Sequence, residues 1–346
     1  MNPEQQQTIS NAEDDVPLQA TRVSPRKSWE PSLGGGMAND VVAFKFGGSS
    51  LAGAERMRQA ASLVREVGPS RAMVVVVSAM EGVTDRLLHV GQLLALTRSL
   101  AARAEALAII ELHFAVLRNL HLPPEGHEQF AHELELLSSD LLHETPSFGH
   151  VAVNSATYDR LASFGERFAA RLFAAALLAA AVPAVPVASS DFVVTCDTFR
   201  EARPDLQYTR QRGRQVLLPL LQAGIVPVIT GFIGATPDGR ITTLGRNSSD
   251  YSGALIAHVV DAAELVIWTD VDGVYTSNPK ESDQAKLLHE LSYDEAHALA
   301  ASGAKVLHPH VLPLAAQSGM TVWIRNTFKP QARGTRIAAQ TNGGAA

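Results

Sequence analysis

Lys45 stands in the run Val41-Val-Ala-Phe-Lys-Phe-Gly-Gly-Ser-Ser50, inside an otherwise apolar strand pattern and directly ahead of two glycines. An ammonium group so placed needs either an anion or a route to water, and this segment alone admits both. Val41 to Phe46 reads as a buried strand and Gly53 to Val67 as the amphipathic helix after it, so Gly47 and Gly48 fall in a strand-to-helix turn. Residues without Cβ let backbone N–H groups approach a phosphate, and the adjoining helix N-terminus adds partial positive charge.

Four further clusters carry side chains with chemical potential. In Ser163-Phe-Gly-Glu-Arg167, ahead of an alanine-rich helix ending near Ala181, Glu166 reads as a first-turn acid. There it either complements the helix dipole or holds an ammonium group. Gly231 to Gly253 reads as a glycine-spaced hairpin leading into a helix, with Pro237-Asp238-Gly239 as its turn. At the start of that helix, Arg246 offers a fork that fits a carboxylate. Asp250 is either an N-cap or an acid that orients lysines around a phosphoryl group in transfer. From Trp268 to Lys280 an apolar strand runs into a turn with Asp270, Asp272, Tyr275 and Lys280, the kind of loop where nucleotides sit in open α/β sheets. A plain turn accounts for Asp272-Gly273 and leaves Tyr275 and Lys280 unexplained. In Gly303-Ala-Lys-Val-Leu-His-Pro309, Lys305 by itself is an ordinary surface lysine.

The elements that must position these residues alternate. Ala72 to Ser78 is a second buried strand, and Gly82-Val-Thr-Asp85 opens a helix beginning near Arg86. Leu87 to Leu142 is helical in pattern, with a break at Pro123-Pro124. Strand signals resume at Ala184 to Val187, Ile225 to Thr230, Leu265 to Thr269 and Thr321 to Ile324. This alternation predicts one α/β domain from about Asp40 to Ala338, a three-layer αβα sandwich on a mainly parallel sheet.

Composition narrows the function classes. With 346 residues, 46% hydrophobic and 18% charged, the chain has material for a sizeable core. A net charge of −6 argues against nucleic acid or an anionic membrane as the main partner. Cys196 is the only cysteine, so no intrachain disulfide forms, which suits a reducing cytoplasm. The most apolar stretch, Phe168 to Val187, contains Arg171 and two prolines and suits a buried helix and strand rather than a membrane span. Residues 1–39 read as a polar, disordered tail without a signal-peptide core, residues 339–346 as a flexible C-terminus, and Met37 as an alternative start.

Taken in order, these segments resemble the catalytic domain of aspartate kinases, in the amino acid kinase family. The matches are Lys45-Phe-Gly-Gly-Ser-Ser50, Ser78-Ala-Met-Glu-Gly-Val-Thr84, Ser163-Phe-Gly-Glu-Arg167, Gly245-Arg246 with Ser249-Asp-Tyr-Ser252, Trp268 to Tyr275, Gly303 to Pro309, and Asn326-Thr-Phe with Gly334-Thr335. A P-loop and the protein-kinase signature set are absent. The resemblance implies the amino acid kinase fold and transfer of the ATP γ-phosphoryl group to the side-chain carboxylate of L-aspartate. It places Lys45 and Lys305 beside the moving phosphoryl group with Asp250 holding them, and Gly47, Gly48 and Ser49 around the phosphates. It places Thr269, Asp270, Tyr275, Lys280 and Val306 at ATP. For aspartate it implies Ser78, Thr84, Glu166, Phe232, Arg246 and Ser249, with Glu166 taking the ammonium and Arg246 a carboxylate. ATP and Mg²⁺ are the implied cofactors, the metal held by ATP oxygens and water, so no protein ligand is assigned. His308 and His310 read as structural or solvent-facing. The resemblance divides the domain at about residue 230 into an amino-acid lobe and a nucleotide lobe, and homodimerisation is a family-level expectation.

Departures from the family pattern bear on these expectations. Arg246-Asn-Ser-Ser-Asp250 has a serine at 248 where glycine is usual, which costs about 1–2 kcal/mol if that position needs positive φ. Asn278-Pro-Lys280 replaces Asp-Pro-Arg, and Ala169 replaces a frequent serine. No ACT regulatory domain is read after residue 338, which predicts an activity insensitive to lysine and threonine feedback. Two alternatives stand beside aspartate phosphorylation: a kinase for an aspartate analogue or another amino dicarboxylate, and a ligand-binding pseudokinase. A one-methylene difference is worth only ~1–3 kcal/mol, so sequence separates the first poorly.

Overall fold

The computed structural model describes residues 41–67, 71–148, 152–246, 248–277, 284–301 and 307–339. These lie in the compact unit Met37–Ala346; the unit Met1–Gly36, and with it the expected tail, is outside the described residues. So are Asn278, Lys280, Lys305, Val306 and residues 340–346.

The strands are β1 (Val41–Phe46), β2 (Ala72–Val77), β3 (Ala184–Val187), β4 (Val226–Thr230), β5 (Ile233–Ala235), β6 (Ile241–Thr243), β7 (Glu264–Thr269), β8 (Val274–Tyr275), β9 (Leu287–Leu288), β10 (Glu290–Ser292), β11 (Thr321–Asn326) and β12 (Thr335–Ala338). The helices are α1 (Ala54–Val67), α2 (Val83–Ala95), α3 (Ser99–Arg118), α4 (Pro124–Glu144), α5 (Ser155–Ala179), α6 (Leu206–Gln222), α7 (Ser249–Val259), α8 (Tyr293–Ala301) and α9 (Val311–Ser318). Eight strands form one sheet in the order β10-β12-β11-β7-β1-β2-β4-β3. The pairs within β11-β7-β1-β2-β4-β3 are parallel, and β12 runs antiparallel to β11. The expected αβα sandwich on a mainly parallel sheet is therefore present.

Strand alternation divides the core. Phe44 and Phe46 of β1, with Val75 and Val77 of β2, face a layer built from α1 to α5. Val41 and Ala43, with Val74 and Val76, face a layer built from α6 to α9. By the same period of two, Lys45 points into the second layer, where α7 packs against β1. Gly253 of α7 permits that approach, since a Cβ there would lie 3.1 Å from the Cβ of Lys45.

Several boundaries differ from the sequence reading. α5 begins at Ser155 rather than at the Ser163 motif, because Asn154 caps it: Thr157 N–H donates to Asn154 Oδ1 at 3.0 Å and Asn154 N–H donates back to Thr157 Oγ1 at 3.2 Å. Glu166 is therefore in mid-helix, far from the N-terminal dipole, which removes the first-turn explanation of that residue. α2 starts at Val83, three residues before the expected Arg86, after Gly82 at φ 78°. The helical excursion breaks a second time between α2 and α3, where Thr97 adopts φ 57°. The apolar stretch 168–187 forms the buried half of α5 and strand β3, and among the described residues no helix is long and apolar enough to cross a membrane.

Candidate active site

The carboxyl ends of β1, β2, β4 and β7 lie side by side in the sheet, and their loops are stitched together by backbone bonds. Gly47 N–H donates to Trp268 O at 3.0 Å, Ser78 N–H to Phe46 O at 3.1 Å, Glu81 N–H to Gly48 O at 3.2 Å and Gly231 N–H to Val77 O at 2.8 Å. Gly48 is required by close approach, since a Cβ there would sit 2.7 Å from the carbonyl oxygen of Ala79. The glycine turn at 47–48 and the loop 78–82 are thus in direct contact.

Lys45 is 5% exposed, and its Nζ lies 2.6 Å from Asp250 Oδ1. The anion demanded by a buried lysine is therefore supplied by α7. Ser248 is the N-cap of α7 and its side chain makes no cap bond, so Asp250 is a first-turn acid and not the cap. Ser248 adopts φ −81° and ψ 5°, in the bridge region at negative φ, so its Cβ carries no left-handed strain.

Glu166 is 3% exposed on α5. Its Oε1 accepts from Ala79 N–H at 3.1 Å, whereas Oε2 is buried and has no partner among the described residues. Burial pushes its carboxyl up to about 8; the Ala79 N–H and the Lys45 charge pull the other way without cancelling that effect. A buried carboxylate with one free oxygen is the chemistry of an ammonium receptor.

Phe232, another predicted residue, is held in place by its backbone. Phe232 adopts φ 65°, rare for a residue with a bulky side chain. Phe232 N–H donates to Ser252 Oγ at 2.8 Å, and Leu244 N–H donates to Phe232 O at 2.9 Å. Such over-determined strain is characteristic of functional sites. Ser78 is buried, and Thr84 and Ser249 are half-buried at the N-terminal turns of α2 and α7. Arg246 is exposed in the loop before α7, where its Nη2 donates to Asp85 Oδ1 at 2.7 Å.

On the β7 side, Thr327 N–H donates to Thr269 O at 2.9 Å, and the hydroxyls of Thr327 and Ser50 are 2.7 Å apart, which fastens the 47–50 turn to the β7 loop. Asp272 accepts from Lys329 Nζ at 3.0 Å and Asn326 Nδ2 at 2.6 Å, which hold its carboxyl below the usual range. Asp272 therefore braces the loop that carries Asp270 and leads to half-buried Tyr275.

Sequence reasoning missed Asp159. It is 1% exposed, and its carboxylate accepts from Arg200 N–H at 2.8 Å, Thr243 N–H at 2.9 Å and Thr243 Oγ1 at 2.7 Å. The signal was present: Asp159 precedes Glu166 by seven residues, two helical turns on the same face. It ties α5 to the end of β6, three residues before Arg246.

The fold is an α/β domain in which the loops at the carboxyl ends of a mainly parallel sheet gather around two buried titratable side chains, Lys45 and Glu166. The family model of the amino acid kinase family matches residues 40–326, and the chain belongs to that family. It is 35% identical over 304 residues to the lysine-sensitive aspartokinase 3 of Escherichia coli (strain K12), covering 88% of this chain and 65% of that protein. It is 34% identical over 299 residues to the aspartokinase of Chlamydia pneumoniae, covering 86% of this chain and 63% of the relative. The crystal structure of E. coli aspartokinase III in complex with aspartate and ADP superposes with a TM-score of 0.78 at 33% identity, over 88% of this chain and 66% of that one. The chain thus spans slightly less than two thirds of the length of these aspartokinases.

Proposed function

We propose that this domain transfers the γ-phosphoryl group of ATP to the side-chain carboxylate of L-aspartate, giving 4-phospho-L-aspartate and ADP. The observation that carries the reading is the placement of two buried titratable groups beside touching loops: Lys45, held by Asp250, and Glu166, with Oε2 unpartnered and ready to ionise when an ammonium is brought to it. An α-amino acid supplies the ammonium that Glu166 lacks, and its carboxylates suit Arg246. The aspartokinase relatives and the aspartate–ADP complex of E. coli aspartokinase III support the same assignment.

In this reading Ser78, Thr84, Phe232 and Ser249 line the aspartate side, while Gly47, Gly48, Ser49, Thr269, Asp270 and Tyr275 line the nucleotide side. Lys280, Lys305 and Val306 belong to the same proposal by family analogy. ATP enters as its Mg²⁺ complex and is substrate; among the described residues no cluster of three or more histidine, cysteine or acidic side chains offers a metal site. The attacking carboxylate is already ionised and needs no base. The protein's work is therefore positioning and neutralisation of phosphoryl charge, by Lys45 and by backbone N–H groups of the glycine turn. The proposed lobes, about 40–230 for the amino acid and about 231–338 for the nucleotide, share one continuous sheet and exchange residues: Lys45 and the 47–49 turn of the first serve the phosphates, while Phe232, Arg246 and Ser249 of the second serve aspartate.

The test is ATP- and Mg²⁺-dependent acyl phosphate formation, trapped with hydroxylamine, across L-aspartate, L-glutamate and N-acetylglutamate. Aspartate should give the hydroxamate, and Lys45→Ala should lower kcat on the order of 10²–10³-fold. An ATP-binding protein that yields no aspartate hydroxamate, or a Lys45→Ala loss below about threefold, would overturn the assignment.

A further inference from the structure

We propose that Asp85 is an internal competitor for the carboxylate fork of Arg246, so that a substrate carboxylate must displace it and the apparent affinity for the acidic substrate is set by that exchange. The inference deepens the proposed function and rests on Arg246 as a substrate-carboxylate receptor. Asp85 directly follows Thr84 and lies in the first turn of α2; Arg246 lies 161 residues away, in the loop between β6 and α7. The folded chain brings them to 2.7 Å, through one Nη2 to Oδ1 contact.

The bond has the chemistry of the proposed substrate contact, a carboxylate on a guanidinium, but it uses only one arm of the fork. A ligand carboxylate that engages two arms replaces a single bond with a paired one. The two side chains are 75% and 70% exposed, so water can solvate either partner when they separate. An exposed pair of this kind contributes little, and its release should weaken ligand binding by roughly 1.5- to 5-fold. The freed carboxylate has a second favourable position, because Asp85 is the third residue of α2 and the positive end of the helix dipole stabilises an acid there. Nothing buried depends on the contact. In this it differs from the Lys45–Asp250 pair, in which loss of one partner strands a buried charge.

The experiment compares wild type with Asp85→Asn, with and without Arg246→Lys, by steady-state kinetics and by calorimetric titration with L-aspartate and with succinate, a dicarboxylate lacking the ammonium. Asp85→Asn should lower the aspartate KM and tighten both ligands roughly 1.5- to 5-fold, with kcat changing less than KM and with the effect lost in the Arg246→Lys background. An aspartate KM that is unchanged or raised in Asp85→Asn would overturn the proposal; a raised KM would make Asp85 a residue that positions Arg246 for substrate. If wild type does not phosphorylate aspartate while Asp85→Asn still tightens succinate through Arg246, the competitor role stands and the kinase assignment falls. If no carboxylate ligand binds wild type or variant, both fall.

Discussion

A buried charge is tolerable only where something repays its desolvation, and at Lys45 and Glu166 that repayment differs. Lys45 is compensated within the chain, and removing Asp250 would leave an unpaired buried ammonium, a loss on the order of 3–5 kcal/mol. Glu166 is only half compensated, which is why its carboxyl rises to about 8 from 4.5. Because the folded value lies above the unfolded one, the protonated form stabilises the native state fully below about 4.5, and that contribution is lost as pH rises through about 8. Glu166→Gln keeps the neutral shape, so the ligand-free variant should melt near wild type at about pH 5 and several degrees above it at about pH 9. The same variant should raise the aspartate KM, because an amide cannot neutralise an ammonium. Equal melting temperatures at the higher pH would show that Glu166 is not held neutral by burial. The site would thus trade stability for binding.

Among the elements, α5 organises the site. Two acids two turns apart on one of its faces do different work: Glu166 leaves an oxygen open, and Asp159 is saturated by three donors from the Arg200 segment and β6. Burial holds the Asp159 carboxyl above its usual value, and those donors offset this only in part; with its bonds all made to the chain itself, it is a positioning residue rather than a receptor. Asp159→Asn puts an amide N–H₂ where at least one donor already points, and should shift the end of β6 and the loop that carries Arg246. The expected result is an aspartate KM raised about tenfold, with the ATP KM little changed. Equal effects on both substrates would mean that Asp159 serves only general stability. Much of this element was legible beforehand: its alanine-rich core and the Ser163 to Arg167 motif stand out in the chain. Its start was not, since the Asn154–Thr157 capping box begins it at Ser155, eight residues before that motif, and the misplaced start put Glu166 in the wrong helical environment.

At the scale of the molecule, one sheet carries a core on each face, and the helical layer of α1 to α5 also contains a buried imidazole. His113 on α3 is fully buried and stacks on Phe168 of α5 with ring centroids 4.4 Å apart. Its Nδ1 pairs with Ile109 O, and Nε2 has no partner among the described residues. Burial, reinforced by the charge of Arg86, lowers it to about 4. A depressed folded value means the contribution to stability is present above 6.5 and lost as pH falls through about 4. Denaturant titrations of wild type and His113→Leu across that window should show the variant losing less stability on acidification. Parallel pH dependences would remove His113 as a cause of acid unfolding.

The order of strands and helices, the glycine turn after Lys45 and the face of β1 on which Lys45 falls follow from the sequence by itself. Periodicity and turn chemistry are local, written within a few residues, and a period of two sets Lys45 on the face opposite Phe44 and Phe46, although only the fold places α7 on that face. The resemblance named Asp250 as the acid beside Lys45, but the 2.6 Å pairing itself, the raised carboxyl of Glu166, the bonds to Asp159 and the Asp85–Arg246 contact were decided only by tertiary structure. Each joins residues far apart in the chain or depends on exclusion of water. Neither is determined until the strand order β11-β7-β1-β2-β4 brings the carboxyl ends of the strands together and the helices close over them.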